Sequence, residues 1–214
     1  MEKQVKAFHD ELAARRAHHS LYDKRKVWGR LKAEETDWLN HEIESLAGNI
    51  VLDAGCGPGP HIGLALEKGA SQVIAMDFSQ KMLILVAERY HDKRVERLCC
   101  DLRHTPLRDG VVDYVICLDT LHHLKGENRR TAILNLLNSA KGGATILIDI
   151  KNRNNPVLLW RYRKRGNFYL PTEASTEREI KQIVSSLSII EKEKGIGFPL
   201  KIISPYIIFK LRRL

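Results

Sequence analysis

Three glycines and two carboxylates mark the chemistry that is clearest in this sequence. Val51-Leu-Asp-Ala-Gly-Cys-Gly-Pro-Gly59 is an apolar run that ends in an acid and turns through Gly55, Gly57 and Gly59. Glycine is needed where the backbone takes a positive φ or where a ligand must approach the main chain closely. Asp77 closes the next apolar run, Val73-Ile-Ala-Met-Asp77, where a carboxylate can accept hydrogen bonds from ribose hydroxyls. The glycine spacing is G-x-G-x-G, whereas a dinucleotide turn reads G-x-G-x-x-G. Asp53, two residues before the first glycine, would oppose a pyrophosphate but could hold an amino group, directly or through water. Together these residues point to a cationic amino-acid nucleoside rather than to NAD.

A second group lies just beyond a later apolar run. Asp119, His122 and His123 follow Val112–Leu118, and histidine suits a general base near neutral pH for a hydroxyl acceptor. His122 is expected to face substrate or solvent, and a structural role is the simpler reading of His123. The three also suggest the start of a metal site, but no fourth ligand is identified, so no metal is expected.

The elements that must position these groups follow from the apolar periodicity. Strands are expected at Ile50–Asp53, Val73–Met76, Val95–Cys100, Val112–Leu118 and Ala144–Ile150. Helices are expected at Ile62–Lys68, Gln80–Tyr90 and Asn128–Ala140, the last closed by Gly142–Gly143. Alternating strands and helices predict a doubly wound α/β sheet with helices on both faces. Val5, Phe8 and Leu12 begin an amphipathic helix, a break falls near His18–Ser20, and a second helix is expected over Leu21–Leu46. In the tail, Thr172–Leu187 reads as a helix with Ser175 and Thr176 as caps. Ile189–Ile196 and Tyr206–Leu211 read as strands joined by too short a loop for a crossover, hence an antiparallel hairpin. The chain divides into an N-terminal helical segment, 1–48, and a nucleoside-binding domain, 49–214, with a basic insertion at 151–171.

With these motifs in order, the sequence resembles the class I S-adenosylmethionine methyltransferases, broadly the methyltransferase type 11 and ubiquinone-menaquinone biosynthesis group. The resemblance implies a Rossmann-like seven-stranded sheet, mostly parallel, with a C-terminal antiparallel hairpin. Asp53-Ala-Gly-Cys-Gly-Pro-Gly59 resembles the first motif, which implies cofactor contacts from Asp53, Gly55, Cys56, Gly57 and Gly59. Asp77-Phe-Ser resembles the ribose-binding turn, with Phe78 beside the adenine. Cys100-Asp101-Leu102 is similar to the adenine-edge motif, where Asp101 accepts from the exocyclic amine and Leu102 lines the ring. Asp113–Leu124 resembles the fourth motif, which implies that Leu118 contacts the cofactor and that Asp119 lies near the methyl donor. Tyr22 and Trp28 are aromatic candidates for the sulfonium on a segment that lids the cofactor in relatives. Helix-face packing is the simpler reading of Trp28.

The acceptor is addressed by charge. The chain has 214 residues and a formal charge of +9. Residues 1–150 hold as many acids as bases, whereas 151–214 hold fourteen Lys and Arg against five acids. Lys151–Arg165 contains six basic residues and no acid, which suits an anionic partner or a solvated surface. A small-molecule acceptor is the reading that the broad family favours. RNA is the alternative: Leu121-His-His-Leu-Lys-Gly-Glu-Asn-Arg-Arg130 resembles the tRNA wobble-uridine carboxymethyl methyltransferases, and Trp160–Tyr169 interleaves aromatics with cations. Two further readings are an amphipathic helix at 156–165 on an anionic membrane, and a non-catalytic S-adenosylmethionine-binding or partner-binding protein. Cys117-Leu-Asp-Thr120 is not the Asn-Pro-Pro-aromatic motif of base amino-methylating enzymes, which disfavours adenine N6. No apolar run reaches the roughly 20 residues of a membrane span. The charged N-terminus and four cysteines without a CxxC pair predict a reducing cytoplasm.

Overall fold

The structure, a computed structural model, describes residues 2–14, 23–165 and 174–214. Tyr22 and the break expected near His18–Ser20 lie outside the described residues. Seven strands form one sheet: β1 (Ile50–Ala54), β2 (Gln72–Asp77), β3 (Val95–Cys99), β4 (Val112–Cys117), β5 (Ala140–Lys151), β6 (Ser188–Ile196) and β7 (Tyr206–Arg213). Their order is β3-β2-β1-β4-β5-β7-β6. The first five run parallel, and β7 pairs antiparallel with both β5 and β6. The expected doubly wound, mostly parallel sheet with a closing antiparallel pair is the observed one.

The helices are α1 (Glu2–Ala14), α2 (Val27–Glu42), α3 (Ile62–Glu67), α4 (Gln80–Arg89), α5 (Gly126–Ser139), α6 (Pro156–Arg165) and α7 (Glu177–Val184). Apolar side chains alternate between the sheet faces, as a strand covered on both sides requires. Leu52, Val115 and Ile146 join Ile133, Leu136 and Ile180 of α5 and α7 on one side. Val51, Ile116 and Leu147 join Leu39, Ile62 and Val86 of α2, α3 and α4 on the other.

Element ends differ from expectation for local reasons. Helix α2 is shorter than Leu21–Leu46: it starts after a turn in which Lys26 N–H bonds Asp23 O, and it ends before extended Ile43, which is buried in the core. Strand β5 runs through Gly142–Gly143 instead of starting after them, because Val112 pairs with Ala140 before a register shift. Helix α7 starts later than Thr172. Thr176 forms a reciprocal capping box with Glu179, and this sets the first turn. The glycine turn leaves β1 at the crossover beside β4, the reversal of strand order where doubly wound sheets bind ligands.

Candidate active site

The glycine turn is held through its own main-chain groups, by backbone and side-chain partners alike. Gly55 N–H and Cys56 N–H both donate to Met76 O, at 2.8 and 2.9 Å. Gly57 N–H donates to Asp77 Oδ2 and Ser79 N–H to Asp77 Oδ1, each at 2.8 Å. Asp77 therefore locks the turn to the end of β2 and keeps its unused lone pairs beside the cleft. Burial pushes its carboxyl up, against the pull of those two amides. Gly55 has φ 71°, and a Cβ there would collide with the Thr120 side chain. Thr120 Oγ1 also donates to Gly55 O at 3.2 Å, so the ends of β1 and β4 are fastened together.

Asp53 sits beneath this turn, fully enclosed. Its Oδ2 has no hydrogen-bond partner, and burial, then the Asp77 charge, lifts its carboxyl to about 8. A buried acceptor left in this state suits a ligand that brings a donor or a positive charge. Above the turn opens a cleft of about 560 Å³ lined by Gly55, Asp77, Phe78, Asp101, Leu102 and His123, together with Val5 of α1. Asp101 is tied by Arg103 through both carboxylate oxygens. Helix α1 lies across the cleft. His9 meets the rings of Phe78 and His123 edge to face, and Asp10 Oδ1 accepts from Ser79 Oγ at 2.5 Å. Cys56 and Leu118 are buried and Gly59 has φ 77°, but these three are not among the residues that line the cleft.

Asp119 precedes Thr120, which lines the cleft, but is not itself among the lining residues. It is non-glycine yet has φ 55°, a conformation that needs outside support. Asp149 supplies it, accepting Asp119 N–H at 2.7 Å. Lys32 Nζ lies 3.6 Å from Asp119 Oδ2, and Lys151 Nζ lies 3.5 Å from Oδ1. Enclosure works to raise Asp119, but the two ammonium groups outweigh it and hold the acid below the usual carboxylate range. Lys32 is also clasped by both oxygens of Glu35 at 2.9 Å. Burial opposes its charge, yet Asp119 and Glu35 keep it well above the usual lysine value. Trp28 packs edge to face on Tyr206, at 5.8 Å between centroids, which is the packing role expected of it.

His122, expected to face substrate or solvent, is 3% exposed and is not among the residues that line the cleft, whereas His123, read as structural, lines it. Burial drives His122 well below its usual value and His123 to about 3, with neighbouring charges adding to the shift. Both imidazoles are therefore neutral at pH 7. Lys32, Glu35, Asp149 and Tyr206 were not singled out from the sequence, and Lys151 only as the start of the basic run Lys151–Arg165. A signal exists for some of them. Glu35 takes the place between Leu31 and Leu39 where an apolar residue is due, and Asp149 interrupts the run Ile146-Leu-Ile-Asp-Ile150.

Residues 51–143 match the family model described as a methyltransferase domain. The chain is 36% identical over 110 residues to the tRNA (carboxymethyluridine(34)-5-O)-methyltransferase of Arabidopsis thaliana, covering 50% of this chain and 26% of that one. The protein of that name from Macaca fascicularis is 26% identical over 177 residues, covering 80% and 24%. This chain thus spans about a quarter of the length of these curated relatives. The magnesium protoporphyrin IX methyltransferase of Synechocystis, solved with bound S-adenosylhomocysteine, superposes with a TM-score of 0.69 at 21% identity, over 87% of this chain and 84% of that one. The methyltransferase-domain model thus matches residues 51–143, and the seven-stranded sheet has the fold of that solved methyltransferase.

Proposed function

We propose that this chain, a methyltransferase domain on a class I sheet, moves a methyl group from S-adenosylmethionine to a carboxymethylated uridine of tRNA. The observation that carries the cofactor reading is the cleft at the strand crossover. Its wall holds an Asp77 carboxylate fixed by Gly57 and Ser79 amides, and at the end of β1, before the lining residue Gly55, lies the buried, unpartnered Asp53 oxygen. These residues fit an amino-acid nucleoside. Asp53 takes the amino group, Asp77 the ribose hydroxyls, and Phe78, Asp101 and Leu102 the base. When bound, S-adenosylmethionine supplies a methyl group already activated on a sulfonium. The protein's task is then alignment and the exclusion of water, both of which the covering helix α1 assists.

Two features support tRNA as the acceptor: the curated relatives, and the cationic sequence of the run from Lys151 through Arg165 that follows β5. A small acidic metabolite is the second reading. It is favoured by the enclosure of Lys32 and Lys151, whose side chains are 12% and 13% exposed.

Calorimetric titration with S-adenosylhomocysteine is expected to give one site per chain. Tritiated methyl from S-adenosylmethionine is expected to enter tRNA in a cell extract, with binding that weakens steeply in salt. Label confined to the low-molecular-weight fraction transfers the assignment to a small acceptor. Intact S-adenosylhomocysteine binding with no label in any fraction would mark a binding protein and end the catalytic reading.

A further inference from the structure

Two lysines from distant parts of the chain converge on one carboxylate. Lys32 comes from α2 and Lys151 from the end of β5, and each stands within 3.6 Å of a different oxygen of Asp119. Both ammonium groups also lie over the face of Tyr206, 5.4 and 5.6 Å from its centroid. Enclosing two ammonium groups is costly, and a fold that does so must return strong pairing. Lys32 obtains it from Glu35 at 2.9 Å. Lys151 is paired more loosely. Its 3.5 Å contact to Asp119 is longer than the roughly 2.7–2.9 Å of a well-made charge-assisted bond. Asp119 Oδ1, on that side, is buried without a hydrogen-bond partner. The Asp119 side chain is nonetheless 42% exposed, so solvent reaches this junction and an acceptor can as well. Asp149, behind Asp119, is lifted by burial to about 7, which lowers the negative charge opposing a further anion.

We propose that Lys151 and Lys32 form an anion subsite that takes the acceptor's carboxylate next to Asp119, which makes them the residues that select an acidic acceptor. This rests on the methyl-transfer reading above and deepens it. In the step, a lone pair of the acceptor carboxylate oxygen forms the new O–CH3 bond. The S–CH3 bond breaks, and its electron pair stays on sulfur, leaving a thioether. No proton is released, and the product is a neutral methyl ester. A general base is therefore not required, in keeping with two neutral histidines beside the site. The ester carries no charge for the lysines to hold, so the subsite that captures the acid also releases the product.

The test uses the full chain loaded with S-adenosylhomocysteine and two probes. One is tRNA bearing 5-carboxymethyluridine, and the other is the same tRNA bearing the uncharged 5-carbamoylmethyluridine. Filter binding is expected to favour the acid at least tenfold. Lys151→Met is expected to bring the ratio to about one and to raise KM more than it lowers kcat, whereas Lys151→Arg retains the preference. Affinity for S-adenosylhomocysteine is expected to change less than twofold. Lys32→Met alone would strand Glu35, so the double variant Lys32→Met/Glu35→Gln serves as the second arm. An acid preference undiminished in Lys151→Met and in the double variant overturns the proposal. If neither tRNA binds, the tRNA reading fails by itself, and the subsite is read from the label in the extract. Methyl released as volatile methanol by mild alkali marks an ester and upholds it, and alkali-stable label overturns it.

Discussion

The glycine turn and the charge cluster around Asp119 are built by different means. At the turn, Gly55, Gly57, Asp53 and Asp77 come from one β-turn-helix unit and the strand beside it, and main-chain amides are held by Met76 O and the Asp77 carboxylate. In the cluster, the proposed acceptor end, Lys32, Asp119, Asp149, Lys151 and Tyr206 come from α2, β5, β7 and the loop after β4, and side-chain charges do the holding. A main-chain cradle constrains residue type at fixed spacing, because only glycine fits a crowded positive φ. A charge cluster constrains only the sum, so its members can be scattered and exchanged. The first end is suited to a ligand common to many proteins, and the second to a ligand particular to one.

The sharpest break of that contrast falls within the cradle itself. Gly55→Ala would press a Cβ into Thr120 at φ 71°, whereas Gly57, at φ 51°, has nothing within 4 Å of a Cβ. Gly55→Ala is expected to cost ~3 kcal/mol of stability from overpacking and left-handed strain together. Gly57→Ala is expected to cost only about 1 kcal/mol of strain. Gly57→Ala should nevertheless weaken S-adenosylhomocysteine binding, because Gly57 N–H fixes the Asp77 carboxylate that lines the cleft. Thermal melts and calorimetry measure the two separately. Equal melting temperatures for the two variants would show that Thr120 does not hold the turn.

Asp53 gives the next largest effect, and in the stabilising direction. Its carboxyl stands at about 8 in the folded chain against 3.8 for the free side chain. The folded state therefore holds the proton across roughly pH 4–8 while the unfolded state has lost it, so stability falls as pH rises through that window. Asp53→Asn removes the penalty. It is expected to stabilise the ligand-free protein by several kcal/mol at pH 8 and not at all below pH 4. The same change should weaken S-adenosylhomocysteine binding, which is the mark of a site that stores destabilisation for its ligand. Parallel melting curves for wild type and variant across pH 4–9 would refute this account of Asp53.

Asp77→Ala separates the two ends by binding. Gly57 and Ser79 amides lose their acceptor, and the ribose loses its partner. A loss of ~2 kcal/mol in cofactor affinity, about thirtyfold, is expected, together with little change in affinity for the acceptor tRNA. A comparable loss at both ends would mean that the cleft is one coupled site.

What could be read from the sequence follows the same division. The succession of strands and helices along the chain and the antiparallel close were legible because buried strands need apolar runs and glycine ends them, as at Ile50–Gly55. Asp53 and Asp77 were legible as acids that end apolar runs, and Phe78 and Asp101 only through resemblance to family motifs. The charge cluster was not, because Lys32 looks like a solvated helix face and Lys151 like one cation of a basic run until Asp119 is folded between them. Glu35 was the available clue: a carboxylate 1% exposed at a helical core position implies a buried partner. The helix boundaries moved where tertiary contact overrode periodicity, as where buried Ile43 lies just beyond the end of α2.

The smallest effect tests the acceptor end most directly. Proton-accepting chemistry by a histidine would leave an acid limb in kcat/KM with a midpoint near that group's pKa. Burial holds His123 at about 3, so this cleft histidine does not change charge between pH 5 and 9, and burial moves His122 in the same direction. A carboxylate acceptor is itself ionised throughout that range. The profile is therefore expected to be flat from pH 6 to 8.5, and His123→Gln to change kcat less than threefold at any pH within it. His122→Ala is expected to act through packing, lowering the melting temperature while sparing the pH profile. A limb near pH 6.5 that vanishes in His123→Gln would restore the histidine as a base and point to a hydroxyl acceptor. Such a result would also remove the reason for two lysines at Asp119, because a neutral hydroxyl gives them nothing to hold.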